Sequence, residues 1–106
     1  MLERVGGMLA RVGVVVRASH ERWDGRGYPD GLVGEAIPLA ARIVSACDAF
    51  NAMTTDRSYR RARSVQDALT ELRACAGTQF DPRVVDAIEA VVGRERPAQL
   101  HLVLAA

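Results

Sequence analysis

Among the histidines, carboxylates and thiols of this 106-residue chain, His20 and Asp48 are best placed for ligand chemistry. An imidazole nitrogen and a carboxylate oxygen, brought together from two packed helices, form a mixed donor set that suits iron, manganese or zinc. Each also has a plainer reading. A lone histidine at a helix end serves as a surface or dipole-pairing residue. Asp48 lies between Ala46-Cys47 and Ala49-Phe50, so it is expected to be buried and in need of a partner. A salt bridge to Arg42 or another arginine meets that need as well as a metal does.

His20 opens the stretch Glu21-Arg22-Trp23-Asp24-Gly25-Arg26-Gly27-Tyr28-Pro29-Asp30-Gly31. Gly25, Gly27 and Gly31 are expected to supply positive backbone angles for turns. Pro29 fixes its own φ and keeps Tyr28 extended, with the ring held out. Trp23 reads as an anchor of the loop. Asp24 reads either as a turn former or, like Glu21, as a carboxylate that orients a histidine. Further on, Arg57, Arg60, Arg61 and Arg63 concentrate positive charge. Arg57 and Arg60 stand just beyond the Asp48 segment and can reach the same cavity, whereas Arg61 and Arg63 read as a solvated basic loop. Guanidinium forks match phosphate oxygens bidentately.

The elements that must position these groups are helices. Leu2, Val5, Leu9, Val12 and Val16 recur at three- and four-residue steps, the pattern of an amphipathic helix. Gly6-Gly7 and Gly13 weaken it at about 1 kcal/mol each, so a firm helix is expected from near Met8 to near Trp23. A polar loop follows to about Glu35. Pro38 suits the first position of a second helix, and Leu39 to Met53 is apolar almost all round, which predicts burial on most sides. Ser64-Val65-Gln66-Asp67 resembles a capping box and starts a third helix, which Gly77 stops. Asp81-Pro82 starts a fourth, with Val84, Val85, Ile88, Val91 and Val92 on one face and Gly93 at its end. The fold class predicted is all-α, with about four helices. Residues 1–93 are expected to form one unit, and 94–106 a tail or the start of a removed segment. Leu100 to Ala106 is too short to span a membrane.

The run from His20 to Gly31 closely resembles the signature of the HD-GYP family of metal-dependent phosphodiesterases, which hydrolyse cyclic di-GMP. The resemblance continues through Ala41-Arg42-Ile43-Val44, Asp48-Ala49-Phe50-Asn51-Ala52-Met53, Asp56-Arg57 and Tyr59-Arg60, and resumes at Ala76-Gly77-Thr78-Gln79-Phe80-Asp81-Pro82. It implies the C-terminal part of an HD-domain-like helical bundle. His20 falls on the second histidine of a His-His-Glu element and Asp48 on a downstream metal-ligating aspartate, around iron, manganese or zinc. Arg57 and Arg60 fall on a phosphate-binding basic pair whose second member is often Lys. Gly27, Tyr28 and Pro29 are placed beside the cyclic dinucleotide, with Tyr28 stacking on a base or packing back on the second helix.

Two departures limit what the resemblance implies. Ser19 stands where the family has a further metal-binding histidine, and a hydroxyl is a poor substitute for an imidazole. The family's His-Asp pair lies on helices that would precede Met1. The chain alone is therefore expected neither to hold a catalytic metal pair nor to hydrolyse substrate. The alternative is a degenerate regulatory module that binds a cyclic dinucleotide or a signalling partner without catalysis. A plain helical interaction domain ranks last.

Composition narrows the remaining choices. A net charge of +1 provides no global field for a nucleic-acid polymer or an anionic membrane. All fourteen basic residues are arginines, which reads as codon bias rather than function. Cys47 and Cys75 form no Cys-x-x-Cys pair, so the expectation is a soluble protein in a reducing cytoplasm, with no membrane span. So short a helical piece is expected to expose apolar surface, and hence to self-associate or bind hydrophobic dyes.

Overall fold

A computed structural model describes residues 2–94. The expected tail beyond Arg94, with His101 and the apolar run 100–106, lies outside the described residues. The chain order is α1 (Leu2–Arg17), a 3-10 turn at Ala18–His20, a second at Gly34–Ala36, then α2 (Leu39–Thr54), α3 (Val65–Ala74) and α4 (Pro82–Arg94). Among the described residues there is no strand, only isolated bridges such as Asp24 with Val33. The all-α expectation is borne out. Among the described residues no helix is long and apolar enough to cross a membrane.

Helices α2, α3 and α4 share one core. Ala46 and Phe50 of α2 meet Ala68 and Leu72 of α3, and Phe80 and Val85 close the cluster from the α4 side. Each large side chain fully buried there stabilises the fold by about 1.5–3 kcal/mol. A smaller cluster of Ala18, Ile37 and Ala41, with Val15 and Leu32 against it, seats the end of α1 on the start of α2. The helix starts follow from local chemistry. Ser64 Oγ accepts the Asp67 N–H at 3.1 Å, and Asp81 Oδ1 accepts the Arg83 N–H at 2.9 Å. Such bonds satisfy donors that have no partner inside the helix. Pro38 directly precedes α2 as its extended cap residue, one position earlier than expected.

Four expectations are corrected. First, α1 begins at Leu2 and runs through all three glycines, then ends at Arg17 rather than near Trp23. The chain leaves the helix because Glu21 is extended (φ −72°, ψ 151°), and its carboxylate is drawn to backbone amides of the following loop. Second, the α1 stripe of Leu9, Val12 and Val16 is exposed, and packing runs through Val15 and Ala18 instead. Third, α2 is not buried all round, since Leu39, Ile43 and Val44 are exposed. Fourth, α4 does not stop at Gly93 but includes it, and Val91 is exposed. Uncovered apolar faces on α1 and α2 are thus the main departure from a self-contained core.

Gly13 tests the helix argument cheaply. A Cβ there meets no heavy atom within 4 Å. Gly13→Ala is expected to stabilise the chain by about 0.5–1 kcal/mol through helix propensity alone, read as a higher urea midpoint. A lower midpoint would mean that α1 is not helical at that position.

Candidate functional site beneath the glycine-rich loop

His20 ends the 3-10 turn that follows α1, and the loop folds back over it. The Tyr28 N–H donates to the His20 carbonyl at 3.2 Å. The two rings stack, with centroids 5.0 Å apart and planes 12° from parallel. Tyr28 is still 62% exposed, so one face covers the imidazole while much of the ring remains open. The ring thus rests on the imidazole of His20, where the sequence suggests packing back on the second helix or stacking on a base. The Tyr28–Pro29 peptide is cis.

The loop is held by the carboxylate of Glu21, a buried residue. Oε1 accepts the N–H groups of Asp30 at 2.8 Å and Gly31 at 2.9 Å, and Oε2 accepts that of Leu32 at 2.8 Å. Arg17 adds an exposed fork to Asp30 at 2.9 Å per bond. Those hydrogen bonds, with the guanidinium charge, outweigh desolvation and hold the Asp30 carboxyl below its usual range. Asp24 is the turn former: its carboxylate accepts the Arg26 N–H at 3.0 Å and pairs with Arg22. Gly25 and Gly31 have positive φ as expected, but Gly27 does not. Its glycine is required by close approach, because a Cβ would lie 2.5 Å from the His20 carbonyl oxygen and the Arg22 nitrogen.

The opposite wall comes from α2. Ser45 and Asp48, three positions apart on one helical face, line an open cavity of about 330 Å³ together with Ser19, His20, Tyr28 and Gln79. Asp48 is exposed rather than buried, a correction to the sequence expectation, because its face of α2 opens into this cavity instead of packing. Arg42 does not pair with it. That guanidinium bonds the Ile37 carbonyl at 2.9 Å and Asp81 Oδ2 at 2.7 Å. Among the described residues Asp48 enters no ion pair.

The donors facing the cavity have the right chemistry for a divalent metal but are too few. Ser19 Oγ donates to the Val16 carbonyl at 2.7 Å, and the Glu21 carboxylate is occupied by three amides. No cluster of three His, Cys, Asp or Glu suited to a metal occurs among the described residues. One imidazole and one carboxylate fall short of the four ligands of a simple zinc site, and further short of a binuclear one. The residues of this chain alone do not fit the metal group, and no catalytic step is assigned to them.

Arg57 and Arg60 form a tight turn beyond α2, each N–H donating to the other's carbonyl at 2.9 and 3.3 Å. Neither lines the cavity. Arg57 is exposed. Arg60 turns inward: Nη2 donates to the Ala52 carbonyl at 2.7 Å, and Nη1 is buried without a partner. A cation against carbonyls near a helix C-terminus is favourable, so Arg60 fastens this turn to α2. Pro29 is exposed on the loop surface beside Tyr28.

The sequence offers Glu21 as a carboxylate that orients a histidine directly, whereas in the structure it clamps the backbone amides of the loop. One member of the site has no such signal in the sequence. Gln79 reaches the cavity from the α3–α4 connection, whose Thr78 and Gln79 carbonyls accept the Asp24 and Trp23 N–H groups at 2.8 and 3.2 Å. In the sequence its segment carries only the family resemblance.

Comparison with known proteins places the chain in a family. An HD domain family model matches residues 1–84. The chain is 58% identical over 69 residues to the cyclic di-GMP phosphodiesterase response regulator RpfG of Xanthomonas campestris, covering 65% of this chain and 18% of that protein. It is 35% identical over 88 residues to a cyclic di-GMP phosphodiesterase of Thermotoga maritima, covering 82% of this chain and 24% of that protein. A crystal structure of a cyclic GMP-AMP specific phosphodiesterase of Vibrio cholerae superposes with a TM-score of 0.72 at 32% identity, over 90% of this chain and 21% of that one. The chain thus spans less than a quarter of the length of each of these relatives. With a helical fold, a loop-covered histidine and relatives that agree in kind, the chain belongs to the HD domain family.

Proposed function

We propose that this chain is the loop-bearing part of a metal-dependent phosphodiesterase acting on cyclic dinucleotides, and that it is inactive when isolated. The observation that carries this reading is the shared cavity: His20 and Asp48 come from different elements yet line one opening beneath the glycine-rich loop. His20 and Asp48 supply two donors to a centre of iron, manganese or zinc whose other ligands come from outside this chain. Exposed Arg57 meets a phosphate, Arg60 holds the turn that presents it, and the open face of Tyr28 beside Gly27 and Pro29 accepts a base edge or ring. The uncovered apolar faces of α1 and α2 are where the remaining part of such a centre, or a second copy, packs. Residues 1–93 act as one unit, in the cytoplasm.

The second reading, a binding module without catalysis, is favoured by Ser19, whose hydroxyl is tied to its own helix. Calorimetric titration of cyclic di-GMP tests what the two readings share. Wild type is expected to bind, and Arg57→Ala to bind about tenfold or more weakly, the effect of removing a hydrogen bond to a charged group. Absence of binding by wild type would remove the ligand assignment, and equal binding by both proteins would remove the phosphate contact assigned to Arg57. Metal analysis of protein purified without chelator separates a half-site from a complete one. Iron, manganese and zinc are expected well below one per chain, and a stoichiometric metal would overturn the half-site.

A further inference from the structure

The ring of Tyr28 is held against the ring of His20 by contacts that begin at the next residue in sequence, Glu21. From this geometry we infer that Glu21 and Tyr28 are positioning residues for His20. The loop carries the aromatic that fixes the imidazole plane, and the Glu21 carboxylate keeps the loop shut. The inference rests on the reading of His20 as a donor facing the cavity, but it gives Tyr28 a second role and Glu21 a role that the reading does not assign.

Three observations support it. The Glu21 carboxylate receives the N–H groups of Asp30, Gly31 and Leu32, all within 2.9 Å. Three successive amides on one buried carboxylate form a charge-assisted clamp that tolerates little displacement of the loop. Between clamp and ring, Gly27 lies so close to the backbone of His20, Glu21 and Arg22 that only hydrogen fits there. The loop therefore cannot slide while the clamp holds. Tyr28 then has its N–H on the His20 carbonyl and its ring on the imidazole, so both backbone and side chain of the histidine are set by one residue. An imidazole on a short 3-10 turn otherwise rotates about two side-chain torsions. Stacking removes that freedom without occupying either ring nitrogen.

The test is nuclear magnetic resonance of this chain without added ligand. In wild type, the His20 ring protons are expected upfield of free histidine because of the Tyr28 ring current, with Asp30, Gly31 and Leu32 amides protected from exchange. Tyr28→Leu should lose the upfield shift, and Tyr28→Phe should restore it, since the ring rather than the hydroxyl does the positioning. Glu21→Ala should lose both the shift and about tenfold or more of the amide protection, the size of a hydrogen bond to a charged acceptor. Protection at Val85 in the core reports whether each variant is still folded. If Glu21→Ala does not fold, Glu21→Gln decides. Its carbonyl still serves Asp30 and Gly31, whereas its amide nitrogen faces the Leu32 N–H as donor against donor, so only Leu32 should lose protection. Unchanged His20 shifts in Tyr28→Leu, or a retained stack in a folded Glu21 variant whose clamp is lost, would overturn the inference. Failure of the functional reading is seen separately, as absent cyclic di-GMP binding with the ring shifts in place.

Discussion

Replacing Arg42 with methionine is expected to destabilise the chain by about 3–5 kcal/mol, the cost of leaving one partner of a buried ion pair without the other. The Arg42 side chain is 11% exposed and that of Asp81 is 1% exposed. The guanidinium joins the Asp81 carboxylate, the Ile37 carbonyl and the face of Trp23, whose ring centroid lies 6.0 Å away. One side chain thus links the start of α2, the connection before it, the cap of α4 and the root of the glycine-rich loop. For a small domain with a margin of about 5–15 kcal/mol, this loss approaches unfolding. Urea titration at pH 7 measures it, and a midpoint within error of wild type would mean that the pair is not buried.

The same pair sets a pH dependence. Burial raises the Asp81 pKa, but hydrogen bonds from Arg42 and the Arg83 N–H, with the charges of both arginines, outweigh burial and hold it below the usual value. A carboxyl depressed in the folded state contributes stability that is fully present above its unfolded pKa of about 3.9 and is lost as pH falls through the lower folded value. Acid unfolding is therefore expected below about pH 4. Asp81→Asn keeps an oxygen for the Arg83 N–H and removes the titrating group. It should be less stable at pH 7 and change less on acidification.

Gly27→Ala is expected to destabilise the loop by about 3 kcal/mol, at the upper end of overpacking costs. The new Cβ would stand 2.5 Å from His20 O and Arg22 N and 2.6 Å from Glu21 Cα. All three are backbone atoms, so no rotamer change relieves the contact. The backbone must separate, and with it go the Tyr28–His20 stack and the Glu21 clamp. Any cyclic di-GMP affinity measured for wild type should fall about tenfold or more, since 1.4 kcal/mol already corresponds to a factor of ten. A Gly27→Ala protein that keeps wild-type ring shifts and melting would place the loop elsewhere.

Features decided by neighbours in sequence were legible before the structure. Ser64 and Asp81 announce helix starts because a capping side chain bonds an amide two or three residues on. The loop after His20 is marked by Gly25, Gly31 and Pro29, and the four helices by apolar spacing. Features decided by partners far along the chain were not legible. An apolar setting in sequence suggested that Asp48 is buried, yet the Asp48 face of α2 opens into a cavity. The sequence suggests Arg42 as a partner for Asp48, yet it bonds Asp81, thirty-nine positions away. Gly27 looks like a turn glycine in the sequence, but it answers a steric contact that exists only when the loop closes over His20. The pattern of side chains along one helix specifies which residues share a face and says nothing of what that face meets. What meets it depends on packing between helices, where burial, pairing and close approach arise together.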